Sequence, residues 1–109
     1  MNTVDDNNVP PSLVIRVEAH SDGLVVFVGG ELDMASKGRL ASTVAQHQRP
    51  GDVRLVIDMT ELEFMDSTGL SDIINIAAQT TEARLTVRGA QPQVRQVFEI
   101  TGLSHFLEK

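Results

Sequence analysis

The chain contains no cysteine, no tryptophan and no tyrosine. Without cysteine there is no disulfide framework, no thiolate chemistry and no cysteine-ligated zinc site, and the composition fits a reducing cytosol. Phenylalanine supplies all four aromatics, so Val, Ile and Leu must fill most of any core. Cations are sparse: nine Lys and Arg stand against fifteen Asp and Glu, for a formal net charge of −6. The nine are scattered with no cluster. A nucleic-acid surface needs a basic patch for the phosphates, so direct DNA binding is not expected and a basic protein partner fits better. No apolar run approaches the roughly 20 residues of a membrane helix. The polar, acidic start, MNTVDDNNVPPS, has neither the basic nor the apolar part of a signal peptide. The expectation is a soluble cytoplasmic protein.

Catalytic signatures are also missing. There is no Gly-x-x-x-x-Gly-Lys-Ser/Thr and no Gly-x-Gly-x-x-Gly to cradle phosphates. Gly-x-Ser-x-Gly, the hydrolase nucleophile elbow, is absent too. His20, His47 and His105 lie far apart without ligand spacing, and read as solvated or packed side chains rather than metal ligands. No enzyme activity, metal or cofactor is expected.

What is present is a chain of 109 residues, the size of one domain, with 41% hydrophobic residues, enough for a globular core. Residues 1–11 carry Asn, Asp and Pro without apolar periodicity and read as a disordered tail. Ser12 to Ala19 alternates apolar and polar, and Leu24 to Val28 is a second apolar run after the turn Ser21-Asp22-Gly23, predicting a hairpin. Leu40, Val44 and their neighbours at helical spacing predict a helix over Ala35 to Gln48. Val53 to Met59 is nearly all apolar, as in a strand covered on both faces. A loop is expected over Thr60 to Asp66, then a helix over about Ser67 to Thr80, with Leu70, Ile73, Ile74, Ala77 and Ala78 at steps of three and four. Arg84 to Val87 reads as a strand, and Pro92 suits the first position of a helix ending at Ile100. Leu103, Phe106 and Leu107 should fold back onto the core. The order β-β-α-β-α-β-α predicts an α/β domain with a mixed sheet and helices packed mainly on one face.

Three segments together resemble the STAS family as found in anti-sigma factor antagonists. They are Gly30-Glu31-Leu32-Asp33; the run from Leu55 to Leu70, which contains Ile57-Asp58-Met59 and Phe64-Met65-Asp66-Ser67-Thr68-Gly69-Leu70; and Leu85-Thr86-Val87 with Pro92, Val94, Val97, Phe98 and Thr101-Gly102-Leu103. The resemblance implies a single STAS-type domain over 12–109. It implies phosphorylation at Ser67, the serine directly after Asp66, and partner docking by Asp66, Ser67, Thr68, Gly69 and the loop of Asp33. Such a protein binds an anti-sigma factor, typically a serine kinase of the histidine-kinase-like ATPase fold, and releases a sigma factor. Phosphorylation ends the interaction and a phosphatase restores it. The ATP belongs to the partner. Many members continue with another helix after the segment equivalent to Thr101-Gly102-Leu103, whereas this chain stops at Lys109. The alternative from the same family is a STAS subunit of a transporter or multiprotein sensor, without a phosphoswitch.

The residues themselves leave two readings open at two places. Asp66, Ser67 and Thr68 at a helix start can simply accept bonds from unpaired N–H groups, or the start can carry a phosphate, which its amides and dipole favour. Gly69 there leaves room for close backbone approach. Asp58, Glu61, Glu63, Asp66 and Asp72, with no Lys or Arg between Val56 and Ile76, form either a solvated loop with a capped helix or an acidic docking patch. Asp33 is likewise a turn or cap residue, or part of the docking surface.

Overall fold

A computed structural model describes residues 12–80 and 84–108. The expected tail at 1–11 lies outside the described residues. The chain forms β1 (Leu13–His20), β2 (Gly23–Leu32), α1 (Arg39–His47), β3 (Arg54–Met65), α2 (Ser67–Gln79), β4 (Arg84–Arg88) and α3 (Pro92–Ile100). Short 3₁₀ turns occupy Met34–Ser36 and Ser104–Phe106. The order of strands and helices is the one read from periodicity. The four strands form one sheet in the order β1-β2-β3-β4, antiparallel at β1–β2 and parallel at β2–β3 and β3–β4.

Strand alternation sends Leu24, Val26 and Val28 of β2, with Leu55, Ile57 and Met59 of β3, into one core. Leu40 and Val44 of α1, Leu70, Ile73 and Ile76 of α2, and Val94 and Phe98 of α3 join the same cluster, so the helices share that face. Phe98 is fully buried, and truncating such a ring to Ala costs about 3–5 kcal/mol. On the other face of β3, Val56 and Asp58 are also buried, as the apolar run implied. Leu107 is buried and bridges Val87 in parallel, and Leu103 and Phe106 pack against the core, so the last residues do fold back.

Three boundaries differ from expectation, each for a physical reason. β2 does not stop at Val28 but continues through Gly29-Gly30 to Leu32, with register shifts against β3 on either side of the glycine pair. Gly30 has φ of +90°, and a Cβ there would meet the Ser12 carbonyl oxygen at 2.3 Å. The pair therefore bends the strand rather than ending it. β3 likewise runs on through the expected loop to Met65, because Leu62 and Met65 are buried and pair with Gly30 and Leu32. The helix expected from Ala35 begins only at Arg39. Gly38 is left-handed, with φ of +83°, and separates it from the 3₁₀ turn.

Candidate functional site

Leu32 pairs with Met65 at the last rung of the parallel β2–β3 ladder. The next residues, Asp33 and Asp66, therefore leave the sheet side by side. The Asp66 amide donates to the Leu32 carbonyl at 3.3 Å, which ties the two loops together. The structure thus brings together all five residues singled out for docking: Asp33 on one loop and Asp66 to Gly69 on the other.

Within the second loop the roles separate. Asp66 is the N-cap of α2, and its Oδ1 accepts from the Thr68 amide at 2.9 Å and the Gly69 amide at 3.0 Å. Capping is thereby done by Asp66 alone. Ser67 is the first helical residue and exposed, and among the described residues its hydroxyl has no hydrogen-bond partner. Its carbonyl accepts from the Ser71 hydroxyl at 3.0 Å, one helical turn on. Thr68 is half-buried. Gly69 is buried against β2, where an added Cβ would lie 2.2 Å from the Leu32 carbonyl oxygen. Only glycine lets α2 start this close to the sheet.

Asp33 caps the 3₁₀ turn. Its Oδ1 accepts from the Ala35 amide at 3.0 Å, and its own amide donates to the buried Ser36 hydroxyl at 3.0 Å. This reciprocal box fixes the loop beside Ser67. The carboxyl stays half-exposed at the same end of the molecule.

The acidic patch is not one surface. Glu61 and Glu63 alternate with buried Leu62, so they face the helix-free side of the sheet, where they line an open groove with Val14, Arg16 and Phe27. Asp58 on that side is held by the Arg88 guanidinium at 2.8 Å and accepts from the Thr60 amide at 2.9 Å. Burial pushes its carboxyl up, but the bonds from Thr60 and Arg88 outweigh this and leave it below the usual range. Asp72 is 4% exposed and points into the junction of α1 and α2. Both its oxygens accept from the Gly38 amide, at 3.2 and 3.1 Å. Burial pushes it above the usual carboxylate range, against the pull of the Gly38 amide and of Lys37. The spacing of Asp72 within its helix gave no sign of this role, because the amide it holds comes from another element. It caps α1 across space, since Gly38 offers that helix no side-chain cap. Among the described residues no three His, Asp or Glu side chains come together as a metal cage.

The STAS domain family model matches residues 14–109. The anti-sigma-B factor antagonist of Listeria monocytogenes is 31% identical over 93 residues, covering 84% of this chain and 82% of its own. The crystal structure of an anti-sigma factor antagonist from Mycobacterium paratuberculosis superposes with a TM-score of 0.78 at 29% identity, covering 91% of this chain and 86% of that one. SpoIIAA shares the fold in its unphosphorylated form, with a TM-score of 0.68 at 20% identity over 87% of this chain and 86% of that one. Its phosphorylated form, from Bacillus, gives 0.65 at 18% identity over 87% and 89%. With its sheet, its paired loops and its Asp-Ser-Thr-Gly helix start, the chain belongs to the STAS domain family.

Proposed function

We propose that this chain is a cytoplasmic anti-sigma factor antagonist whose binding is switched by phosphorylation of Ser67. The observation that carries this reading is the division of labour at the start of α2. Asp66 satisfies the helix amides, and the Ser67 hydroxyl stands exposed without a structural task. The names of the relatives at 31% and 29% identity support the anti-sigma factor antagonist part of this reading.

The partner is an anti-sigma factor of the serine-kinase type. In the unmodified state, the end of the domain formed by Asp33, Asp66, Ser67, Thr68 and Gly69 docks on it, and a sigma factor is released. The kinase transfers a phosphoryl group from its own ATP to the Ser67 oxygen, and a phosphatase removes it. The domain itself is a binding module.

Phosphate adds about −1.5 to −2 charges and considerable bulk at one hydroxyl. The α2 N-terminus accommodates that charge in the free protein. In the docked state the charge is desolvated against a surface shaped for a neutral serine, beside the carboxylates of Asp33 and Asp66. A misplaced charge in an interface costs roughly 2–5 kcal/mol, or about 30-fold to several thousand-fold in affinity. Titration of unmodified protein, Ser67→Asp and Ser67→Ala against the anti-sigma factor, with a thermal melt of each, tests this. Ser67→Ala should bind like the unmodified chain, and Ser67→Asp should bind far more weakly while melting at a similar temperature. Equal affinity for Ser67→Asp and for authentic phosphoprotein would end the proposal. Loss of binding through unfolding of Ser67→Asp would refute the mechanism.

A further inference from the structure

β1 is the outer strand of the sheet, and among the described residues nothing pairs with its free edge. The direction of each backbone group on that edge follows from two contacts. The Ser12 carbonyl accepts from the Glu31 amide, and the hairpin closes on the pair His20–Gly23 across the turn Ser21-Asp22. Even-numbered residues of β1 therefore turn their N–H and C=O toward β2, because bonding alternates along an antiparallel pair. Leu13, Ile15, Val17 and Ala19 turn theirs outward. Unpaired groups of this kind are a template for another strand.

We propose that this edge pairs with β1 of a second copy of the chain, antiparallel and centred on Val17. In that register Val17 faces Val17 of the second copy, and Ile15 faces its Ala19, through outward N–H and C=O groups on both strands. Arg16 then stands opposite the other copy's Glu18, and Glu18 opposite its Arg16. These form non-hydrogen-bonded pairs, in which side chains approach more closely. Charge selects this register over its neighbours. A shift of one step along either strand's pairing, centred on Arg16 or on Glu18, sets like charge directly against like charge. Odd-numbered residues still meet odd-numbered residues in those registers, so the backbone could pair there and it is the charge that disfavours them.

Within one copy, Arg16 and Glu18 already lie together at 3.2 Å on the helix-free face, exposed at the edge. On the helix side, Ile15 and Val17 are half-buried and packed on the core, so pairing would extend that core across the seam. Because β3 runs parallel to β2 and β1 antiparallel to it, the two copies would point their Ser67 ends in opposite directions. Each copy keeps its docking end free. This proposal does not depend on the assignment of partner or switch.

The test is sedimentation equilibrium of the full chain from low micromolar to near-millimolar concentration, at low ionic strength because salt screens exposed pairs. The wild-type mass should rise from 11.9 kDa toward twice that value with concentration. Arg16→Glu and Glu18→Arg should each weaken association by about tenfold or more, since each turns both cross-strand pairs into like charges. The double exchange Arg16→Glu with Glu18→Arg should restore it to within a few-fold. A wild-type chain that keeps the single-chain mass throughout the range overturns the proposal. So does undiminished association of either single variant, or a double exchange that recovers nothing.

Discussion

Gly69→Ala tests how tightly the start of α2 is built against β2. The new Cβ would sit 2.2 Å from the Leu32 carbonyl oxygen and 2.9 Å from the Leu32 Cγ, where ordinary contact begins at 3.4 Å. The obstacle is backbone, so no rotamer change relieves it and the helix start must move away by more than an ångström. The bond from the Asp66 amide to that carbonyl is already 3.3 Å long and would be lost. Overpacking of this kind costs about 1–3 kcal/mol, and the lost hydrogen bond about 1 kcal/mol. Against this, Ala is favoured over Gly in a helix by about 0.8–1.0 kcal/mol. The collision wins, and the net loss is about 1–3 kcal/mol. For a domain of this size that lowers Tm by roughly 5–15 °C. Thermal and urea unfolding read this directly, and binding to the anti-sigma factor should weaken as the Asp33 and Asp66 loops part. A Gly69→Ala protein as stable as wild type or more so would show that helix propensity governs this position and that the close approach is not needed.

Asp66→Ala should lose about 1 kcal/mol because two amides lose their acceptor, whereas Ser67→Ala should stay within about 0.5 kcal/mol of wild type. Paired urea titrations decide this, and equal losses would contradict the division of roles at the helix start. Asp58 and Asp72 should give opposite pH signatures. Asp58 is held below the usual carboxylate range, so its contribution is present above that range and fades as pH falls through its lowered value. Asp58→Asn should therefore be less stable than wild type at neutral pH, with the gap closing in acid. Asp72 is raised, so its charged form burdens the folded state at neutral pH, and that burden fades as pH falls through the raised value. Asp72→Asn, which keeps an acceptor for the Gly38 amide, should equal or exceed wild type at neutral pH and lose that advantage on acidification. Unfolding midpoints at neutral pH, at mildly acidic pH for Asp72 and below the usual carboxylate range for Asp58 measure both, and gaps that do not change over those windows would count against these assignments.

Element order was legible because it depends on local period, and Val26 and Ile57 sit in apolar runs bounded by turn residues. The apolar stripe of α2 was only partly legible: Leu70 and Ile73 are buried as expected, but Ile74 and Ala78 are exposed and Ile76, which was not singled out, is buried in their place. The two misread strand boundaries depend on distant partners, whereas the late start of α1 comes from the left-handed Gly38 beside it. Gly29-Gly30 looks like a terminator in isolation, yet β3 pairs across it and the strand continues. Glu61-Leu62-Glu63 looks like a loop until Gly30 is placed beside Leu62. At the site, Asp66 to Gly69 was readable as a helix start, but which hydroxyl or carboxyl did the capping was not, since Asp, Ser and Thr all suit that place. The side chain–amide distances at Asp66 decide it. Asp58 and Asp72 were misjudged as surface charge because Arg88 and the Gly38 amide, 30 and 34 residues away in sequence, are what hold them.

The most direct test of the switch is to locate the phosphate. Wild-type protein, Ser67→Ala and Thr68→Ala would be incubated with the cognate anti-sigma kinase and ATP, and the sites mapped by tandem mass spectrometry. A single phosphate on Ser67 in wild type and in Thr68→Ala, with none on Ser67→Ala, is the predicted result. Phosphate mainly on Thr68, Ser71 or Ser42, or full modification of Ser67→Ala, would contradict the assignment of the exposed, unbonded Ser67 hydroxyl as the acceptor.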